Sequence, residues 1–406
     1  MKKQLNDGDY PYLILLKDRG VLIAAYLNAD RQLSALRVID ADNMAFRLGN
    51  FYDAKIKKRI SSNQKNHAKA FVELDDHGVK QDAFLGNAAN HPEGARLWVQ
   101  IIREASHDKI PEISTRLKFS NRYADYWQDA HQGADQAAPL IEYDSSLGQG
   151  LAKAQLMDFF EQDQGWAQAS SRLQQGKFIL KKPIAALNPE QIIDALERLV
   201  MDAKAPQAMD HHNTQLESLF FPLSQDAKLF TDQLDINAMA SKLIPLAAPD
   251  LTMNRFDYIG KKDPYGFKGL IYDAIEQLKS PLIPLEQGAN LILESAAALT
   301  AIDINSGGLF HRDGAYMNIN MNAAAIIMQQ LKLRAIGGVI LIDPLKPEKM
   351  KGNAAITLKP MVDLLRKLAK SDPVRTDILG VTKSGLIELV RQHTAQSLSD
   401  YLRKKP

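Results

Sequence analysis

Short apolar runs broken by polar turns fill the N-terminal third of the chain. Tyr12-Leu13-Ile14-Leu15-Leu16 and Val21-Leu22-Ile23-Ala24-Ala25-Tyr26 flank Lys17-Asp18-Arg19-Gly20. That pattern predicts a β-hairpin, with residues 33–39 as a further strand. Runs at 51–60, 70–74, 83–85 and 97–102 then recur between polar turns. Such spacing predicts a small barrel, closed by residues 113–119. Residues 129–149 are rich in Gln, Ala, Gly and Asp and read as a linker or flexible insertion.

Further on, the period lengthens. Residues 151–161 predict a helix. Asn188-Pro189-Glu190-Gln191 predicts another, running to about Met201, with Asn188 as N-cap, Pro189 at the first position and Gln191 in the capping-box place. Residues 207–215 are polar and predict a loop, which would include the adjacent His211 and His212. A helix over 267–278 precedes strands at 282–285, 290–294 and 299–304. A helix over 322–334 ends at Ile336-Gly337-Gly338. Strand 339–343, helix 357–370, strand 376–382 and helix 384–405 complete the chain. This alternation implies an α/β layered domain, and there is no internal repeat.

Two of these strands carry the candidate chemistry. Thr300-Ala301-Ile302-Asp303-Ile304-Asn305-Ser306-Gly307-Gly308 places a carboxylate and a carboxamide two residues apart, so both share one strand face. Asp343 ends the run Val339-Ile340-Leu341-Ile342 and precedes Pro344, which stops the strand. Carboxylates at strand ends suit Mg²⁺, a hard ion that prefers oxygen ligands and keeps water. The same residue types also cap turns, and Asp-x-Asn alone does not choose between the two. Lys55, Lys57, Lys58, Arg59, Lys65 and Lys69 crowd the barrel beside Phe71 and Phe84. Charge for phosphates and rings for bases suit single-stranded nucleic acid; a solvated face over two core rings is the plainer alternative. Lys332, Arg334, Lys383 and Arg391 are candidate phosphate donors.

Composition narrows the chemistry. The 406 residues contain no Cys, which removes disulfides, thiolate zinc sites and cysteine nucleophiles. A net charge of +2 announces no polyanion partner by itself, so any basic patch must be local. Residues 1–10 lack the apolar stretch of a signal peptide. No run approaches the roughly 20 apolar residues of a membrane span. The expected setting is cytoplasmic, with no membrane partner.

The ordered stretch Leu299 to Gly307, then Gln330-Leu331-Lys332-Leu333-Arg334, then Gly337 to Asp343 strongly resembles the ribonuclease E/G family. Asn318-Ile319-Asn320 is similar to its Asn-x-Asn before the helix, and Thr382-Lys383-Ser384-Gly385-Leu386-Ile387-Glu388 to its Ser-Arg-Phe-Gly-Leu-Leu-Glu segment. Upstream, Leu48-Gly49-Asn50-Phe51-Tyr52, Ala70-Phe71-Val72, Ala83-Phe84-Leu85, Lys109 and Ser120-Asn121-Arg122-Tyr123 resemble its S1-type OB domain and the flanks of that domain.

The resemblance implies a multi-domain α/β (α+β) architecture. A ribonuclease-H-like subdomain (1–48 and 187–265) would be interrupted by an S1-type OB RNA-binding domain (49–125). A linker or reduced sensor-like region (126–186) would follow, and a DNase-I-like catalytic subdomain (266–406) would end the chain. It implies that Asp303 and Asp343 bind Mg²⁺, with Mn²⁺ as a substitute, and that Asn305 contacts the scissile phosphate or positions Asp303. Phe71, Phe84, Lys109 and Lys383 would bind single-stranded RNA. The products would carry 5′-phosphate and 3′-hydroxyl ends. Departures from the family pattern are specific. With no Cys, neither zinc nor assembly through the family's cysteine zinc link is expected, although an oligomer of another kind is not excluded. No counterpart of the family's Val-Arg-Thr motif for 5′-end sensing is found in 128–186. Ala297 stands where the family has Glu, and Lys346 stands where it has an acid three residues beyond the second aspartate. Lys383 replaces Arg and loses its bidentate fork. The expected function is a Mg²⁺-dependent endoribonuclease; the rival is an RNA-binding protein with weak or lost nuclease activity.

Overall fold

The first two apolar runs pair as the predicted hairpin. β1 (Tyr10–Asp18) and β2 (Val21–Leu27) are antiparallel, with Leu13 opposite Tyr26 and Leu16 opposite Ile23. Every residue of β2 is buried. A strand covered on both faces needs an unbroken apolar run rather than alternation. β3 (Leu33–Asp40) pairs on its other side. The computed structural model describes the chain apart from residues 1–9, 19, 41–44, 61–67, 89–90, 106–108, 129–138, 145–146, 172, 174–175, 210, 254–255, 261, 297, 309–314, 347–353, 371, 373, 394–396, 399–401 and 403–406.

Residues 43–221 and 238–255 form one compact unit. Its barrel consists of β4 (Phe51–Ile60), β5 (Lys69–Asp76), β6 (Val79–Leu85), β7 (Arg96–Arg103) and β8 (Glu112–Ser114), closed in the order β4-β5-β6-β8-β7. Alternation drives the closure: Ala70, Val72 and Leu74 point inward while Lys69 and Phe71 face out. Residues 113–119 do not close the barrel as one strand. β8 ends at Ser114, and β9 (Lys118–Ser120) turns away to a second sheet. The side chain of Gln100 fixes that departure, accepting from Lys118 N and donating to Lys118 O, each at 2.9 Å.

The second sheet runs β11-β12-β10-β9, with β10 (Ala124–Trp127), β11 (Leu140–Tyr143) and β12 (Lys177–Leu180). Between the last two lie α1 (Leu151–Gln162) and α2 (Gln164–Ser170). The segment expected as a linker, 129–149, thus contains β11, and its residues 129–138 lie outside the described residues. α3 (Pro189–Lys204) has the predicted capping box: Gln191 N donates to Asn188 Oδ1 at 2.9 Å and Asn188 N to Gln191 Oε1 at 3.0 Å. Residues 207–215, expected as a loop, instead include a 3₁₀ turn at Pro206–Ala208 and most of α4 (His211–Glu217). Buried Leu216, Leu219 and Phe220 anchor that segment, a tertiary effect that its polar start does not announce.

Residues 1–42, 222–237 and 256–406 form the other unit. β13 (Leu223–Thr231) runs parallel to β1, and its neighbour β14 (Asp257–Tyr258) ends the sheet β14-β13-β1-β2-β3. α5 (Leu234–Ala247) follows, its residues from 238 onward counted with the barrel-containing unit, and then α6 (Phe267–Leu278), which buries Phe267, Ile271 and Ile275 with the hairpin residues Ile14, Leu16 and Ile23.

A six-stranded sheet holds the C-terminal part. In chain order come β15 (Leu282–Pro284), β16 (Asn290–Ser295), β17 (Leu299–Asn305), α7 (Ala315–Leu333), β18 (Gly338–Asp343), α8 (Ala354–Thr357), α9 (Lys359–Ala369), β19 (Thr376–Val381) and β20 (Ile387–Arg391). The sheet order is β15-β16-β17-β18-β20-β19. α7 and α9 cover one face, where Ala323, Ile327 and Leu331 meet Ile302, Ile340, Ile342, Met361 and Leu365. The other face carries the candidate chemistry.

Three expectations change here. Residues 384–405 are not one helix, because Ile387, Leu389 and Arg391 alternate buried with Glu388 and Val390 and form β20 between β18 and β19. Two ladders and a buried face outweigh helix propensity. α7 begins well before residue 322, so Asn318-Ile319-Asn320 lies inside it. Its last turn closes on Ala335, in the left-handed region at φ 51°, with Ile336 N donating to Leu331 O at 2.9 Å. The glycines come after that turn, and Gly338 at φ 91° starts β18. Among the described residues no helix is long and apolar enough to cross a membrane.

Candidate active site

Asp303 and Asp343 are direct partners in the parallel ladder between β17 and β18. Adjacent strands put their Cα atoms about 4.8 Å apart, and parallel partners project from the same face. Burial fixes which face that is. Thr300, Ile302 and Ile304 of β17 and Ile340 and Ile342 of β18 point into the helix-covered core. Ala301, Asp303 and Asp343 point to the open face and are exposed. The period-two pattern of both strands thus delivers two carboxylates side by side at one end of the sheet.

Asn305 stands on the same face at the end of β17. Its Nδ2 donates to Asp303 Oδ2 at 3.1 Å and approaches Asn290 Oδ1 on β16 at 3.4 Å. A neutral amide therefore holds Asp303, and Asn290 is the cross-strand partner of Asn305. The exit from β17 is held tightly. Gly307 has φ 59°, and a Cβ there would overlap the carbonyl oxygen of Gly288 in the turn between β15 and β16. Only a residue without a side chain fits that approach.

Asp343 has a different partner. Lys346 Nζ lies 3.0 Å from its Oδ1. The backbone between them is held by Asn320 of α7, whose amide bonds both the N–H and the C=O of Leu345. Asn320 is fully buried. Sequence reading sees Asn320 as part of a motif and misses its positioning role, because its partner is 25 residues away. A buried polar residue on an apolar helix face was the available signal.

Lys383 is exposed on the turn between β19 and β20, which Gly385 N→Thr382 O (3.0 Å) and Thr382 N→Leu386 O (2.8 Å) close. Ile387 pairs with Ile342, so this turn lies at the Asp343 end of the sheet. Arg391 does not: it pairs with Gly338 at the opposite end. It is buried, forks onto Asp372 and donates to Ile336 O at 2.7 Å. Arg334 donates to Gln330 Oε1 and Ser280 O, each at 2.9 Å. Both arginines hold the fold rather than reaching the aspartates. Ala297 lies outside the described residues.

In the other unit, Phe71 and Phe84 are cross-strand partners on the outer face of the barrel, with ring centroids 6.2 Å apart and edge to face. Phe71 is 39% exposed. Lys69 Nζ lies 5.9 Å from the centroid of Phe84, and Lys58 is the β4 partner of Phe71. Lys109 is exposed and stands two residues before Pro111, whose O accepts from Phe84 N at 2.8 Å. Lys57, by contrast, is tied to Asp82 at 2.9 Å and Glu73 at 3.8 Å. Lys65 lies outside the described residues.

Among the described residues no three His, Asp or Glu side chains gather as a metal cage. The pair Asp303 and Asp343 still fits a hard divalent ion. Mg²⁺ commonly takes one or two carboxylates from the protein and keeps several waters, and these two are adjacent, exposed and all-oxygen.

Comparison with known proteins bears on the same segment. Residues 190–394 match the model of the ribonuclease E/G family. Ribonuclease G of Haemophilus influenzae is 24% identical over 412 aligned positions, covering 90% of this chain and 77% of that protein. Ribonuclease G of Salmonella typhimurium is 26% identical over 76% of this chain, which spans 62% of that relative. Ribonuclease E of Synechocystis sp. is 34% identical over 127 residues, 30% of this chain and 18% of its own length. The family match covers half of the chain and runs through β17, α7 and β18 with both aspartates, and the chain belongs to the ribonuclease E/G family.

Proposed function

We propose that the chain is a divalent-metal-dependent endoribonuclease of single-stranded RNA, with Asp303, Asn305 and Asp343 as its reactive centre. The observation that carries this reading is the in-register pairing of Asp303 with Asp343 inside the family match. The two carboxylates supply hard oxygen donors for Mg²⁺ or Mn²⁺. Such an ion polarises a phosphodiester and acidifies a water. Asn305 keeps Asp303 Oδ2 oriented through its 3.1 Å bond, and its long 3.4 Å contact to Asn290 is the one a phosphate oxygen would replace. Water oxygen bonds to phosphorus while the bond from phosphorus to the 3′ oxygen breaks. That oxygen takes up a proton, leaving 5′-phosphate and 3′-hydroxyl ends.

The barrel is read as an S1-type OB domain. Phe71 and Phe84 would stack bases, while Lys69, Lys58 and Lys109 would meet phosphates. Lys383 would contact phosphate near Asp343. The sheet built on β1 and the sheet built on β17 are read as the family's ribonuclease-H-like and DNase-I-like subdomains.

Cleavage of an end-labelled single-stranded RNA in Mg²⁺ tests the reading. Asp303→Asn and Asp343→Asn should each lower the rate on the order of 100-fold or more while leaving the protein folded. Equal rates for wild type and both variants would overturn it. One observation favours the second reading, an RNA-binding protein with little turnover: the Lys346 ammonium sits on Asp343. RNA bound but uncleaved in both Mg²⁺ and Mn²⁺ would select that reading.

A further inference from the structure

The two aspartates are partners in the ladder but not in their surroundings. Asp303 meets the neutral amide of Asn305, whereas Asp343 meets a cation. The backbone that leads to Lys346 is anchored. Pro344 limits the backbone just beyond Asp343, and Leu345 is pinned by two bonds from buried Asn320. Pro344 and Leu345 are both buried, so the chain presents residue 346 back toward Asp343. The Lys346 side chain is 30% exposed, with no second acid beside it among the described residues.

We propose that Lys346 is a resident counter-cation of Asp343, so that a divalent ion uses this carboxylate only by displacing the ammonium. The inference rests on the reading of Asp303 and Asp343 as a metal pair and adds a feature of this chain to it. The family resemblance places an acid at this position, and reversing its charge has two effects of the same sign. The ammonium neutralises one donor carboxylate, and it repels a doubly charged ion held within a few ångström. In this protein divalent ions should therefore bind weakly, and Asp303 should carry more of the binding than Asp343. Exposure to solvent keeps the penalty moderate, because both terms are screened there.

Mn²⁺ binding, measured by the loss of the free-ion electron paramagnetic resonance signal, tests the proposal without relying on turnover. Lys346→Gln should tighten Mn²⁺ about tenfold, which is about 1.4 kcal/mol. Lys346→Glu should tighten it further, and Lys346→Arg should leave it as in wild type. Mg²⁺ should displace Mn²⁺ with the same ordering. Urea unfolding of each variant confirms that the protein compared is folded. A rank order that follows charge, lost when Asp303→Asn is added, supports the proposal. Equal affinity in wild type, Lys346→Gln and Lys346→Glu, with binding still lost in Asp303→Asn, overturns the counter-cation and leaves the metal pair standing. No binding to any of these proteins overturns both.

Discussion

The side-chain amide of Asn320 exchanges two hydrogen bonds with the backbone of Leu345. Its Nδ2 donates to the carbonyl at 2.9 Å and its Oδ1 accepts from the N–H at 3.0 Å. Both residues are buried, and Leu345 is two positions beyond Asp343. Asn320→Ala should leave a backbone donor and acceptor unpaired away from water, at a cost of about 2–4 kcal/mol. The expected readout is a lower urea midpoint with an unchanged slope. The strand exit at Asp343 should also loosen, so cleavage by the folded fraction should fall about tenfold. Asn320→Asp keeps the acceptor but loses the donor and buries a charge, and it should be no better. A stability loss below about 0.5 kcal/mol, within the range of ordinary surface substitutions, would refute the clamp.

Gly307 and Gly308 make a controlled pair. Both have positive φ, 59° and 93°. A Cβ at Gly307 would overlap the Gly288 carbonyl oxygen, whereas at Gly308 it would meet nothing within 4 Å. Gly308→Ala should therefore cost only its backbone conformation, about 1 kcal/mol. Gly307→Ala adds a collision and should cost about 2–4 kcal/mol. Because Asn305 is two residues upstream, Gly307→Ala should also slow cleavage more than Gly308→Ala. Equal thermal shifts for the two variants would sink the close-approach argument.

What was legible in the sequence is what local periodicity encodes. The two-residue spacing in β17 put Asp303 and Asn305 on one face, the apolar run before Asp343 marked the end of β18, and Asn188 with Gln191 announced the start of α3. The pairing of Asp303 with Asp343 was not legible in this way, because a ladder contact between distant residues leaves no local signature. The long ordered family motif supplied that link. β20 was misread because five residues carry too little periodicity against a flanking run of helix formers. The split between β8 and β9 depended on one side chain, Gln100, bonding the backbone of Lys118. Lys346 was visible as a reversed charge, but its contact with Asp343 needs the clamp on Leu345.

Phe71 and Phe84 predict how RNA affinity should respond to salt. If bases stack on the exposed Phe71 ring, Phe71→Ala should weaken single-stranded RNA binding by about 1–3 kcal/mol. It removes no charge, so the dependence of log K on log salt should keep its slope. Lys69→Ala should instead lower that slope by about 0.7, as expected when one phosphate contact is lost from a single strand. Fluorescence anisotropy at several salt concentrations separates the two. Unchanged affinity in Phe71→Ala would argue that the pair is only packing.

Asp125 sets an acid limit in the barrel-containing unit. It lies between Lys181 at 2.5 Å and Lys118 at 3.5 Å. Burial alone would push its carboxyl up, but the two ammonium groups outweigh burial and hold it down at about 2. Its unfolded value is near ~3.9. Between these values the unfolded chain binds the proton and the folded chain does not, so stability rises with pH in this window. The contribution is complete above about pH 4 and is lost as pH falls toward 2. Lys181 is itself held below its usual range by burial, against the pull of Asp125, so removing the carboxylate leaves a poorly solvated ammonium. Asp125→Asn should cost about 2–4 kcal/mol at pH 7 and should lose less further stability than wild type between pH 4 and pH 2.5. Urea unfolding of both proteins at pH 7, 4 and 2.5 measures this directly. Parallel losses between pH 4 and 2.5 would show that the Asp125 carboxyl titrates alike in the folded and unfolded chains.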